Sequence, residues 1–261
     1  MRVLRDLDGI RRLRKPVFLA AGFFDGLHRG HQKLIARTRE SARQSEGRAW
    51  VLTFDPHPLR VLNPREAPPL LTSSEHKLRL LRELEVSGCL MLPFTPAFAA
   101  LQPEEFVRRL LACSPPLSEV LVGTNWRFGR GGRGDPALLS RLSRNTSMRV
   151  TVIRPVVFKG ETISSTRVRT AVAGGNLDRA AAMLGRPFSV LGSVVAGRAA
   201  GRRLGFPTAN LDVHNEVLPP PGVYAAYMKL NRRTCPAVAN FGTQPTLQRR
   251  RDAEPLLEVH L

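Results

Sequence analysis

Two histidines separated by arginine and glycine lie inside the run Gly22-Phe23-Phe24-Asp25-Gly26-Leu27-His28-Arg29-Gly30-His31. An apolar stretch at 17–21 precedes this run and reads as a buried strand. Residues 32–41 follow it and read as a helix, with Leu34, Ile35, Thr38 and Ala42 along one face. His28 and His31 thus stand where a strand hands over to a helix. The start of a helix offers unpaired backbone N–H groups and the positive end of its dipole, which suits phosphate. Gly22, Gly26 and Gly30 let the backbone approach a ligand closely. The imidazoles can then donate hydrogen bonds to phosphoryl oxygens as charge builds in a transition state. There is no GxxxxGK[ST] pattern, so this is not a P-loop. The chemistry it suits is nucleotidyl transfer; the competing reading is a surface turn with two incidental histidines.

Three further constellations carry chemical side chains. In Ile163-Ser164-Ser165-Thr166-Arg167-Val168-Arg169 the hydroxyl residues either cap a helix or open a backbone cradle for a triphosphate. Arg167 would then neutralise a leaving pyrophosphate. The run Gly201-Arg202-Arg203-Leu204-Gly205-Phe206-Pro207-Thr208-Ala209-Asn210 reads as a Gly/Pro turn between strands. Alternatively its backbone wraps a nucleotide phosphate, while the Thr208 hydroxyl and the Asn210 amide oxygen hold Mg²⁺. Glu258 is either a general base for a hydroxyl nucleophile or a solvated strand residue. His76, His214 and His260 read as structural or solvated.

These groups must be positioned by a larger frame. Strands expected at 17–21, 49–54, 88–92, 119–122 and 149–153 alternate with helices at 73–84 and 103–111, which implies a parallel sheet with helical crossovers. In such sheets ligands bind beyond the carboxyl ends of the strands. Three motifs fall there: the histidine run, Thr53-Phe54-Asp55-Pro56-His57-Pro58, and Gly123-Thr124-Asn125-Trp126-Arg127-Phe128-Gly129. Near Gly185-Arg186-Pro187 the texture changes to short β-like runs at 188–196, 222–229, 237–241 and 256–261, expected as a small antiparallel barrel.

Bulk composition narrows the class. A chain of 261 residues with 43% hydrophobic content can bury two cores. No apolar run reaches membrane-spanning length, and the charged N-terminus has no secretory h-region. The three scattered cysteines show no CxxC spacing, which suits a reducing cytoplasm and argues against a zinc site. The net charge of +19 comes from 35 arginines against five lysines, a skew that fits a GC-rich genome better than a nucleic-acid surface. The charge still attracts anionic ligands such as nucleotides.

The motifs together resemble the bacterial bifunctional riboflavin kinase/FMN adenylyltransferase (FAD synthetase) family. GFFDGLHRGH, TFDPHP, VGTNWRFGRGGRGD and ISSTRVR are similar to its adenylyltransferase half. GRPFSVLGSVVAGRAAGRRLGFPTANL, PGVYAAYM, VANFGTQPTL and LEVHL are similar to its kinase half. The resemblance implies an α/β, Rossmann-like nucleotidyltransferase domain with a parallel sheet at 1–184, and a C-terminally incomplete antiparallel β-barrel riboflavin kinase domain at 185–261. It implies that riboflavin and ATP give FMN, and that FMN and ATP give FAD and pyrophosphate. His28, His31, Arg167 and Glu258 would be catalytic. Gly22, Phe24, Asp25, Gly30, Asn125, Ser164, Ser165 and Thr166 would bind ATP and phosphate. Gly201, Gly205 and Pro207 would bind the kinase-side nucleotide or flavin, and Thr208 and Asn210 the Mg²⁺.

Some positions depart from the family pattern. Asn125 stands where Asp is frequent, and Phe241 and Gln244 replace residues that are usually Ile and Arg. The sequence stops at Leu261, just after the strand carrying Glu258, whereas family members usually continue. The expectation is adenylyltransferase activity with weak or no kinase activity, in a cytoplasmic monomer or weak homo-oligomer that binds neither membrane nor nucleic acid. Two readings compete with it: a same-fold nucleotidyltransferase acting on another phosphorylated substrate, and a degenerate protein that binds flavin or nucleotide without turnover.

Overall fold

A computed structural model describes residues 1–114, 116–196, 207–230, 233–242 and 256–261. Six parallel strands form the first sheet: β1 (Arg2–Leu4), β2 (Val17–Ala21), β3 (Arg48–Asp55), β4 (Gly88–Pro93), β5 (Leu117–Gly123) and β6 (Arg149–Ile153), in the order β1-β4-β3-β2-β5-β6. The edge strand β1 is an addition to the five expected from sequence. It is only three residues long and half exposed, so it carries too little apolar pattern to announce itself.

Strands β2 to β5 are buried on both sides, as their near-continuous apolar runs require. One face packs Leu19, Leu52, Leu90 and Val120 against Phe106, Val107 and Leu110 of the Pro103–Leu111 helix and Leu139 of the Pro136–Ser143 helix. The other face packs Ala20, Val51, Met91 and Leu121 against Leu34 and Ile35 of the Arg29–Gln44 helix and Leu80 and Leu81 of the Ser74–Glu83 helix. The result is a doubly wound sheet whose strand order reverses between β2 and β5.

After β6 comes a short hairpin, β7 (Val157–Phe158) with β8 (Glu161–Thr162), then the helices Ser165–Ala173 and Leu177–Leu184. The second helix ends on Gly185 at φ 70°, a left-handed terminus that glycine adopts without strain. A five-stranded antiparallel sheet follows, in the order β11-β12-β13-β10-β9: β9 (Gly192–Val195), β10 (Thr208–Val213), β11 (Gly222–Leu230), β12 (Arg233–Gly242) and β13 (Leu256–His260). Among the described residues β9 and β11 form its edges. Its core is Ala239, Phe241, Leu257 and Val259, so Phe241 fills apolar space on the inner face. Gln244 lies outside the described residues.

Two expectations from sequence are corrected. The helix after the histidine run starts at Arg29 rather than Gln32, because the His28 side chain caps it and draws the first turn back over the motif. Thr208 and Asn210 do not sit in a turn: they belong to β10, paired with β9 on one side and β13 on the other. The apolar alternation Ala209, Leu211, Val213, which builds the inner face, was masked by the Gly and Pro residues before it.

Candidate active site

At the switch point Ala21 of β2 lies opposite Val122 of β5, so the chain leaves the sheet side by side at Gly22 and Gly123. A Cβ on Gly123 would meet nothing within 4 Å, which marks open space at this strand end. Asn125 follows in an exposed turn beside that opening. A Cβ on Gly22 would press on the Phe24 ring at 3.1 Å, so the missing side chain lets Phe24 fold inward and become fully buried.

His28 Nδ1 accepts from the backbone N–H of His31 at 3.4 Å, which leaves Nε2 to carry the proton of the neutral ring. The two imidazoles stack with centroids 3.6 Å apart and planes 15° from parallel. A Cβ on Gly30 would stand 3.0 Å from the His28 ring, so glycine is what allows that ring to lie over the helix start. Burial pulls the His28 pKa down to about 4, and burial together with the neighbouring His28 and Lys77 holds His31 well below the usual imidazole range. His31 Nδ1 is buried with no hydrogen-bond partner. Two neutral, stacked imidazoles therefore face a helix N-terminus.

Asp25 is 1% exposed and saturated with donors. It accepts from Leu71 N at 3.1 Å, Thr72 N at 3.0 Å, Thr72 Oγ1 at 3.0 Å and Arg169 at 3.1 Å. This carboxylate shapes the loop from within. Arg169, absent from the expected site, is its counter-ion. Lys77 was missed as well. It is 2% exposed, with Nζ 3.8 Å from the centre of the Phe23 ring, and burial draws its pKa down to about 8. The signal was legible: Lys77 occupies the same helical stripe as Leu80 and Leu81. His57 packs edge-on against Phe23 at 4.2 Å.

Ser164 caps the Ser165–Ala173 helix by accepting from Arg167 N at 3.3 Å, and Ser165 Oγ donates to the Asp25 carbonyl at 2.9 Å. The second helix start is thereby pinned to the first motif, and Thr166 is exposed on it. Arg167 is bound to the hairpin, donating to the carbonyls of Glu161 and Thr162 at 2.8 Å and pairing with the Glu161 carboxylate at 2.8 Å. Its Nε is buried and has no hydrogen-bond partner. The structure thus joins the His28 and Ser164 motifs through Asp25.

On the second sheet Asn210 lies opposite Glu258, and Glu258 opposite Asn240, in one row on the face away from the core. Thr208 is on the same face two residues away, next to exposed Pro207. Asn210 Oδ1 is buried with no hydrogen-bond partner, as a neutral oxygen ligand awaiting a hard cation would be. Gly201 and Gly205 lie outside the described residues. The remaining histidines are structural in their contacts: His76 Nε2 is 3.2 Å from Ser189 Oγ, His214 Nε2 is 3.1 Å from Ser193 Oγ, and His260 Nδ1 is 2.8 Å from the Pro207 carbonyl.

Comparison with known proteins assigns both halves. Residues 11–167 match the family described as FAD synthetase, and residues 184–261 match riboflavin kinase. The chain belongs to the bifunctional riboflavin kinase/FMN adenylyltransferase family. It is 37% identical to the family member of Escherichia coli K12 over 263 residues, covering all of this chain and 83% of the relative. It is 31% identical to that of Bacillus subtilis over 93% of this chain and 77% of the relative. A crystal structure described as a macrolide-efflux protein from Streptococcus pneumoniae superimposes with a TM-score of 0.82 at 29% identity, over 99% of this chain and 83% of that one. The likeness is of fold. Among the described residues of this family member, no helix is long and apolar enough to cross a membrane.

Proposed function

We propose that this chain makes FAD in two steps, phosphorylating riboflavin on the 185–261 domain and adenylylating FMN on the 1–184 domain. The observation that carries the reading is the pair of neutral, stacked imidazoles at a helix start on the switch point of the parallel sheet. In the adenylylation, an FMN phosphate oxygen attacks the α-phosphorus of ATP and the bond to pyrophosphate breaks. His28 and His31 donate N–H groups to the α-phosphoryl oxygens, with no proton lost, as the charge there grows. The start of the Ser165–Ala173 helix supplies backbone N–H groups to the departing pyrophosphate, and Arg167 supplies positive charge. Gly22, Phe24, Gly30 and Asn125 shape the nucleotide's seat, and Asp25 holds the two motifs in register.

In the phosphorylation, Glu258 takes the proton of the ribityl 5′-hydroxyl as that oxygen attacks the γ-phosphorus of ATP and ADP leaves. Thr208 and Asn210 would hold Mg²⁺, which when bound neutralises phosphate charge. Pro207, with Gly201 and Gly205, would line the nucleotide side. The substrates are small molecules, and the reading places the enzyme in the cytoplasm as a monomer or weak homo-oligomer. The test is chromatography of products with ATP and Mg²⁺, run in parallel on riboflavin and on FMN. FAD is expected from both, because the match of residues 184–261 to riboflavin kinase supports a working kinase step over the weak one expected from sequence. No FAD from FMN would overturn the adenylyltransferase assignment, and no FMN from riboflavin would overturn the kinase assignment.

A further inference from the structure

The histidine loop is gripped from outside its own domain. Gly26 and Leu27, just before His28, both take positive φ, 74° and 45°. For Leu27 this is a backbone state that must be held from without. Arg186 does part of the holding. Its guanidinium donates to the Gly26 carbonyl at 3.0 Å, with a weaker contact to the Leu27 carbonyl at 3.5 Å, where Gln32 Nε2 also donates at 2.8 Å.

A second grip acts on the far side of Asp25. Asn215, 5% exposed, donates to the Leu71 carbonyl at 2.5 Å and accepts from Leu191 N at 2.9 Å. The N–H of Leu71 is one of the donors that saturate Asp25. Next to it, Glu216 accepts from Leu70 N at 2.9 Å and pairs with Arg60, while Val217 is buried in a cluster with Leu71, Ile163 and Val168. Arg186 and Asn215 both lie in the stretch that matches riboflavin kinase, whereas the Gly26, Leu27 and Leu71 carbonyls they hold lie in the stretch that matches FAD synthetase.

We infer that Arg186 and Asn215 are positioning residues for FMN adenylylation, lent by the kinase-like stretch to fix the loop that aims His28 and His31. The inference rests on the adenylyltransferase reading above. Its physical basis is that a sub-ångström drift of a charge-stabilising group costs rate out of proportion to the energy lost in folding. Another link between the two regions, the exposed pair Lys229–Glu83 at 2.6 Å, touches neither loop and serves as the control.

The experiment uses the full chain carrying Arg186→Met, Arg186→Lys, Asn215→Ala or Lys229→Ala. It measures kcat and KM for ATP in FAD formation, the melting temperature, and amide hydrogen exchange over residues 22–31 and 70–72. Arg186→Met and Asn215→Ala are expected to lower kcat by about ten- to a hundredfold, with a smaller change in KM, in a chain that remains folded at the assay temperature. Exchange in both segments should quicken, Arg186→Lys should restore part of the rate, and Lys229→Ala should match the wild type. Wild-type kcat in both Arg186→Met and Asn215→Ala would overturn the inference, as would an equal loss in Lys229→Ala. If the wild type itself forms no FAD, the proposed function fails and exchange alone decides: quickened exchange confined to the two segments upholds the positioning role, and unchanged exchange rejects it. If a variant unfolds at the assay temperature, the same exchange comparison is made below its melting point.

Discussion

The Nδ1 of His28 caps a helix, and in the proposed function the opposite nitrogen of the same ring donates toward a phosphate. Replacing His28 by alanine should lower kcat for FAD formation by about 10²–10³-fold, the usual cost of one charge-stabilising donor. The same change should cost about 1 kcal/mol of stability through the lost cap. His31→Ala should show a comparable kinetic loss, since both rings face the same helix start. Steady-state kinetics and denaturant titration check both, and a wild-type kcat in either variant would remove that histidine from the mechanism. Asp25 carries a different burden. Its partner Arg169 is only 14% exposed, so Asp25→Asn leaves a dehydrated guanidinium without its counter-charge. The expected loss is about 3–5 kcal/mol, read as a lowered urea midpoint.

Elements decide which of these side chains meet. The Arg29–Gln44 and Ser165–Ala173 helices both begin at the carboxyl edge of the parallel sheet, and the Ser165 hydroxyl ties the second start to the Asp25 carbonyl. Two helix N-termini are thus tied to one another, and a helix start is where a polyphosphate finds backbone donors. On the antiparallel sheet the register of β10 with β13 sets Asn210 against Glu258. Glu258→Gln should therefore lower riboflavin phosphorylation by about 10²–10⁴-fold while FAD formation from supplied FMN stays at the wild-type rate. A parallel loss of both activities would show that the two sites are not separate. The strand alternation that makes β10 was hidden at sequence level, because local turn residues outweigh six residues of pattern. The central strand β2 and the edge strand β6, by contrast, appear with the bounds expected from sequence.

Across the whole molecule three histidines, His28 and His76 buried and His57 half-buried, act as a pH limit. Burial draws His28, His57 and His76 each from an ordinary value near 6.5 down to about 4. Between those values the unfolded chain binds more protons than the folded one, so stability is complete above pH 6.5 and is lost as the pH falls toward 4. Thermal melts should drop steeply between pH 6 and 4.5. A melting temperature unchanged over that range would contradict the burial of these rings. Cys89 and Cys113 should stay inert over the same range, since burial pushes their thiols up to about 12 and 11.

The residue types and spacings by themselves determined the chemistry: histidines at a strand-to-helix junction, glycines where the backbone must come close, hydroxyls before a second helix. They also determined five of the six parallel strands and the change of texture near residue 185, because periodicity and turn residues are local properties. Only the tertiary structure decided who partners whom. Asp25 looked like a phosphate contact and proves to be a saturated internal anchor, while Arg167 is bound to a hairpin and Arg169 supplies the buried counter-charge. Lys77 lies under Phe23, and Arg186 reaches back 160 residues to the loop before His28. These pairings join positions far apart in the chain, and they form because folding must give every buried charge and polar group a partner wherever the fold can bring one. That demand is met in space, so no local pattern of residues could reveal it.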